Sequence, residues 1–165
     1  MRSKNFFTSL LLLASLLWLS GCALHPFSTV KPGMTQADVL ARMGPPGAVV
    51  PISQGTRLQY SGQPTGQFAF MIDLDASGRV LGARQVLNAR DFARIEPGTW
   101  TRDDVLREFG PPALVDHVAS WQGDILTYRW YDLQDLFYWV YLDDRQVVQK
   151  AHPGMEFVNA PNDRD

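Results

Sequence analysis

One phrase occurs twice in this chain, and that duplication narrows the available folds more than any bulk property does, because a unit written twice builds twice. Val30-Lys31-Pro32-Gly33-Met34-Thr35 runs on to Leu40 and is followed by Gly44-Pro45-Pro46; it returns as Ile95-Glu96-Pro97-Gly98, Thr101 to Leu106 and Gly110-Pro111-Pro112. With one residue of the Thr99-Trp100 pair left over, 9 of 17 aligned positions are identical. The match extends upstream, where Phe27 and Val30 answer to Phe92 and Ile95, and downstream, where Leu58 and Tyr60 answer to Leu126 and Tyr128. A unit of about 65 residues buries only ~60% of the surface its unfolded chain exposes, so the two copies are expected to pack together.

The repeated phrase has a local physical reading. Pro32-Gly33 and Pro97-Gly98 supply a fixed φ followed by an easy positive φ, which is a tight turn. Thr35 with Asp38, and Thr101 with Asp104, have the spacing of a helix N-cap and a carboxylate in the first turn. Val39, Leu40 and Met43, mirrored by Val105, Leu106 and Phe109, form a helical apolar stripe, and Gly44 and Gly110 followed by proline pairs end it. Upstream, Phe27 to Val30 and Phe92 to Ile95 read as the last turns of a preceding helix, so that each copy opens with a helical hairpin.

Strands follow. Phe68, Phe70, Ile72 and Leu74 alternate with Ala69, Met71 and Asp73, and Asp75-Ala76-Ser77-Gly78 is a turn composition before the return at Arg79 to Leu87. Leu136, Tyr138, Val140 and Leu142 repeat the pattern, with Gln146 to Ala151 as the return. Arg57 to Tyr60 and Ile125 to Tyr131 precede the hairpins, and Ala48 to Ile52 and Ala113 to Val118 suggest a weaker edge. The expectation is an α+β chain of two tandem repeats, 27–89 and 90–152. Each would be a short helical hairpin followed by a three- to four-stranded antiparallel sheet, with a polar tail over 153–165.

The beginning of the chain reads as an address. Arg2 and Lys4 precede Phe6 to Leu19, 14 residues without a charge, which is the length of a secretory apolar region and short for a bilayer span. Leu19-Ser20-Gly21-Cys22 resembles the bacterial lipobox. That resemblance implies a signal peptide over 1–21, a lipidated Cys22 and a short linker to residue 26. Three acyl chains at ~0.8 kcal/mol per buried methylene exceed what stable anchoring takes. Ala23 differs from the aspartate that resembles an inner-membrane retention signal, so the expected location is the outer membrane, at its periplasmic face.

The phrase Pro-Gly-Met-Thr, then Asp-Val-Leu, a short helix and Gly-Pro-Pro, resembles the SmpA/OmlA domain, the family of the outer-membrane assembly lipoprotein BamE. It is also similar to the tandem repeats of the β-lactamase inhibitory protein. The likeness covers both copies, about Phe27 to Ala151. It implies a lipoprotein that supports the machinery inserting β-barrel proteins. Two copies where the assembly factor has one is a departure, and moves the expected architecture toward the inhibitor.

Composition agrees with a folded chain: of 165 residues 45% are hydrophobic, 12% aromatic and 19% charged. Losing Arg2 and Lys4 takes the 15 basic side chains to 13 against 17 acidic, a balance of −4, which argues against nucleic acid as a partner. One cysteine closes no disulfide and builds no Cys₂ or Cys₄ metal site. Asp73-Leu74-Asp75-Ala76-Ser77-Gly78 opens like a calcium loop, but Arg84 stands where a bidentate glutamate is required. His25, His117 and His152 have no ligand-like spacing, and Asp103, Asp104 and Asp116 read as solvated charges. No cofactor, metal or catalytic residue is expected, and the chain reads as no enzyme.

The aromatic residues point to binding. Opposite Leu136, Tyr138, Val140 and Leu142, the same strand carries Phe137, Trp139 and Tyr141, where the first copy has Ala69, Met71 and Asp73. With Trp121 and Tyr131 these are candidate partner-binding residues, and Trp100 in the inserted turn is a second candidate contact. Two destinations are open for this face: a partner, or the first copy and the terminal segment. The functional expectation is a lipid-anchored, non-catalytic protein-binding module that docks an envelope protein in outer-membrane assembly or integrity. An inhibitor of an envelope hydrolase is the alternative.

Overall fold

The computed structural model describes residues 26–156; Cys22 and the leader therefore lie outside the described residues, as do positions 157–165 of the expected tail. A 3₁₀ turn over Pro26–Thr29 is followed by α1 (Gln36–Met43), β1 (Ala48–Ile52), β2 (Gly55–Ser61), β3 (Ala69–Asp75) and β4 (Val80–Gln85). The second half contains α2 (Ala89–Phe92), α3 (Arg102–Phe109), β5 (Leu114–Asp116), β6 (Ile125–Tyr131), β7 (Asp135–Leu142) and β8 (Val148–Met155). Strands pair antiparallel in two separate sheets, β1-β2-β3-β4 and β5-β6-β7-β8. Both sheets have an irregularity at the same place in the third strand, between Asp73 and Leu74 and between Tyr141 and Leu142.

This corrects the expected fold class. No helical hairpin opens either half among the described residues: the elements read as first helices are a four-residue 3₁₀ turn and a four-residue α-turn. Asn88 accepts from the Asp91 N–H and so starts α2 at Ala89; an apolar i, i+3 pair such as Phe92 and Ile95 needs no more than that single turn. Strand predominates, each sheet has four strands, and β8 continues to Met155, inside the segment expected as tail.

The two longer helices form for the reasons their sequences give. The Asp38 N–H donates to the Thr35 hydroxyl at 3.2 Å while the Thr35 N–H donates to the Asp38 carboxylate at 3.0 Å. The corresponding distances for Thr101 and Asp104 are 3.3 and 2.8 Å, so both ends are reciprocal capping boxes. The Thr101 donors and the Arg107 guanidinium hold the Asp104 carboxyl down to about 2. Gly44 and Gly110, at φ 75° and 77°, end α1 and α3. Each terminal carbonyl is taken by a tyrosine hydroxyl from the neighbouring sheet, Tyr60 on Gly44 and Tyr128 on Gly110, both at 2.9 Å. Burial pushes the Tyr128 phenol far above its ordinary value, so it stays a donor.

The layers stack in one order. Val30, Val39, Leu58, Ile72, Leu74 and Val80 form a core between α1 and the first sheet. Helices α2 and α3 lie between the two sheets: Phe92, Val105 and Phe109 join Ala69 and Met71 of the first sheet to Leu126, Tyr128, Val140 and Leu142 of the second. The first sheet is thus covered on both faces.

Polar chemistry fastens α3 to the first sheet. Arg57, 5% exposed, donates from Nε and Nη2 to both oxygens of Asp73 at 2.6 and 3.0 Å. Its Nη1 reaches the Arg107 carbonyl at 3.0 Å and Glu108 at 2.9 Å. Gln59 donates to the carbonyls of Leu106 and Arg107, both at 3.0 Å. These groups satisfy carbonyls that a helix C-terminus leaves unpaired, with positive charge at the negative end of its dipole. Glu108 also accepts from Arg84 and Arg94, which share Asp91.

Replacing Thr35 or Thr101 by Ala should each lower stability by about 1 kcal/mol in chemical denaturation. Arg57→Ala strips partners from two carboxylates at once and should cost about 3 kcal/mol. Burial alone would raise the Glu108 carboxyl, but the Arg57 charge and hydrogen bonds from Arg57 and Arg94 bring it below its usual 4.5. A carboxyl depressed in the folded state stabilises above its unfolded value and loses that contribution as pH falls through the folded one. Stability should therefore drop on acidification below 4.5. Glu108→Gln should be less stable at neutral pH and show a shallower acid limb in the urea midpoint.

Candidate docking face

The alternation of β7 sends Tyr138, Val140 and Leu142 toward α3 and leaves Phe137, Trp139 and Tyr141 on the outside of the second sheet. Strand β8 supplies the next column: Gly154 pairs with Phe137, His152 with Trp139 and Lys150 with Tyr141. The rings form a connected row. Phe137 and Trp139 centroids are 5.8 Å apart, and His152 lies 5.5 Å from both Trp139 and Tyr141. Trp121, from the β5–β6 loop, meets Tyr141 edge-on at 5.2 Å and is held by donating its indole N–H to the Leu142 carbonyl at 2.7 Å. The Lys150 ammonium sits over both rings, 4.1 Å from Tyr141 and 4.9 Å from Trp121. The six-membered ring of Trp139 lies against Gly154, where any side chain would run into it.

Among the described residues, the aromatic face does not pack on the first copy. The positions of the first sheet equivalent to this row, Ala69, Met71 and Asp73, are the ones that face α3, and Met71 is 1% exposed. The second sheet's row lies on the other side of its sheet from α3, half-buried by its own rings and by β8. Besides the junction through α3, the first half meets the second sheet along one edge. The Gln63 side chain pairs with both the N–H and the carbonyl of Arg129, beyond the end of the three-residue β5, and Arg129 donates to the carbonyls of Pro64 and Thr65 and to Glu156. An otherwise open stretch of β6 edge is thereby covered.

Of the predicted partner-binding residues, Trp121, Phe137, Trp139 and Tyr141 come together. Tyr131, 60% exposed, stands at the end of β6, beyond Arg129 on the same face. Trp100 lies elsewhere: it packs against the core between the sheets, 6.2 Å from Phe109. The reason is in the turn. Val80 donates to the Met34 carbonyl and Val148 to the Trp100 carbonyl, so Trp100 takes the place of Met34 and Thr99 is the extra residue. Lys150 and His152 were missed, although counting alternate positions back from the Asp143-Asp144-Arg145 turn would have put both on the aromatic face.

A cleft of about 690 Å³ opens beside the fastening of α3, lined by Ile52, Gln54, Arg57, Asp73 and Glu108 among others. Its acids are both engaged by Arg57, so it offers paired charges and no free base. At the calcium-like stretch the Asp75 carboxylate accepts from the N–H groups of Ser77 and Arg79 and from the Ser77 hydroxyl, closing a turn; those donors, Arg79 first, hold it below its usual value. Among the described residues no group of three His, Cys, Asp or Glu could hold a metal, and no helix is long and apolar enough to cross a membrane.

Gly154→Ala should displace Trp139 and change tryptophan fluorescence, with a loss of about 1–3 kcal/mol as the added methyl is forced under the ring. No family model and no curated protein matches the chain. Among solved structures, a DUF4309 family protein (YjgB) from Bacillus subtilis is similar at 18% identity over 74% of this chain and 78% of that one, with a TM-score of 0.29, a likeness too slight to support an argument about either fold or function.

Proposed function

We propose that this chain is a lipoprotein anchored through Cys22 at the periplasmic face of the outer membrane, acting as a non-catalytic protein-binding module in outer-membrane assembly or envelope integrity. The observation that carries the reading is the aromatic outer face of the second sheet. A sheet with a helix layer on one side ordinarily turns polar groups to water on the other. Here that side holds Phe137, Trp139, Tyr141 and Trp121, types that dominate binding energy at protein interfaces.

The layer order supports the same reading. The 3₁₀ turn at Pro26–Thr29 lies on the first sheet's outer side, with Phe27 stacked on Phe70 at 4.0 Å. The aromatic face is at the opposite pole of the stack. A tether at Cys22 would hold the first half at the bilayer, since four residues span at most ~14 Å, and leave the second half facing away from the tether.

Two experiments test this. A clickable fatty acid should label the wild-type chain and not Cys22→Ala; equal labelling would remove the anchor. A photo-crosslinking residue at exposed position 152, in the full-length lipoprotein in cells, should give an adduct with an envelope protein that Trp139→Ala weakens at least tenfold. No adduct from that position would remove the docking face. An adduct with a hydrolase whose activity the chain abolishes would establish the inhibitor instead.

A further inference from the structure

The two halves finish their fourth strands differently. In the first half the residues after β4 close its edge. Val86 donates to the Ala69 carbonyl at 3.0 Å, so alternation turns the N–H and C=O of Gln85 away from β3. The Asn88 side chain donates to that Gln85 carbonyl at 2.9 Å, and the Gln85 amide takes both backbone groups of Leu87, its N–H at 2.6 Å and its carbonyl at 3.1 Å. In the second half the register puts Pro153 in the place of Gln85, Met155 in that of Leu87 and Glu156 in that of Asn88. Neither sealing amide is there, and the Glu156 carboxylate is committed to Arg129 at 2.6 Å.

Strand β8 is the outer strand of its sheet. Its first edge groups are taken, since Val148 donates to the Trp100 carbonyl at 2.8 Å and accepts from the Gly98 N–H at 2.7 Å. Past the irregularity at Leu142 the edge is open. Glu156 donates to the Asp135 carbonyl, toward β7, so alternation turns the backbone groups of Met155, Pro153 and Ala151 outward. Among the described residues no other strand pairs with them, and only the His152 ring approaches one, the Pro153 carbonyl, at 3.2 Å. Lys150, His152 and Gly154 then occupy the positions of that edge at which side chains of neighbouring strands come closest, and all three belong to the aromatic face. The exposed Lys150 ammonium rests on the Trp121 and Tyr141 rings and makes no ion pair among the described residues. A chain of net acidic balance thus presents an uncompensated cation beside an open strand.

We propose that the free edge of β8 receives an extended, acidic segment of a partner polypeptide as a fifth strand of the second sheet. The inference rests on reading the adjoining face as a docking surface, and it adds how the partner is held and what chemistry it carries. Laid antiparallel, the segment exchanges backbone hydrogen bonds with Ala151 and Met155 and donates one to the Pro153 carbonyl. Its residue across from Lys150 is an aspartate or glutamate, because a carboxylate there meets the ammonium on its open side and opposite charges directly across a strand pair attract. Four positions earlier, across from Gly154, a large apolar side chain lies against the six-membered ring of Trp139. A second copy of β8 would supply no such carboxylate, since its Glu156 is held by Arg129.

The test uses the full-length lipoprotein in cells with a photo-crosslinking residue at position 152, and then the purified adduct. In the adduct the amides of Ala151 and Met155 should exchange hydrogen at least tenfold more slowly than in the uncrosslinked chain, and the crosslinked peptide of the partner should carry an aspartate or glutamate. Lys150→Glu should reduce the adduct at least tenfold, and Lys150→Arg should retain it. An adduct that Trp139→Ala weakens, but in which both amides exchange as before, would overturn strand addition and leave the docking face standing. Equal capture by Lys150→Glu would overturn the acidic chemistry. A crosslink to residues 157–165 of the same chain, or between two copies, would identify another occupant and overturn the proposal. No adduct at all would remove the docking face and this inference with it.

Discussion

The architecture depends on how α3 ends. Its last carbonyls and Glu108 are gripped by Arg57 and Gln59 from the middle of the first sheet, which commits the helix of the second half to the sheet of the first. A buried guanidinium is costly to place, and Arg57 is tolerated because Asp73 and Glu108 satisfy it from two sides. Once α3 is seated there, its other side carries Val105 and Phe109 into the second sheet, and the four layers follow. The polar grip also fixes which surface remains uncovered. A helix between two sheets covers one face of each, and the second sheet has no later helix among the described residues to cover its other face.

That leftover face is where function is proposed, because its composition departs from what an uncovered sheet ordinarily carries. Tryptophan and tyrosine rings ordered by one another, by a lysine and by a glycine under Trp139 form a firm, low-entropy surface. Such a surface loses little side-chain freedom on binding and has much apolar area to bury. The polar cleft beside Arg57 has the opposite character: its charges are spent on each other, and it serves as a fastening.

Much of this was legible in the sequence. The capping boxes, the helix-ending glycines and the alternation of β7 are local devices, set by residues within a few positions of one another, and they appear as their spacing predicts. The tyrosines at 60 and 128 were visible as a matched pair, though not as caps on glycine carbonyls, which requires knowing the strand beside the helix. The helical hairpins failed because an apolar i, i+3 pair is satisfied by a single turn as well as by a helix. Trp100 was placed outside because the insertion was read as a loop, when its backbone bond with Val148 puts the extra residue one position earlier. The charged face of the first sheet could not be read as buried at all. Arg57 and Asp73 look like surface residues until the register sets them side by side beneath Glu108, and that relation spans 51 residues of sequence.

The account stands on an asymmetry among the described residues: the first sheet is covered on both faces and the second on one. Hydroxyl-radical footprinting of the dilute, detergent-solubilised full-length chain reads that asymmetry residue by residue. Trp139 and Tyr141 should be oxidised faster than Met71 and Trp130, which are 1% and 4% exposed. Met71 reacting as fast as Trp139, or Trp139 as protected as Trp130, would contradict it.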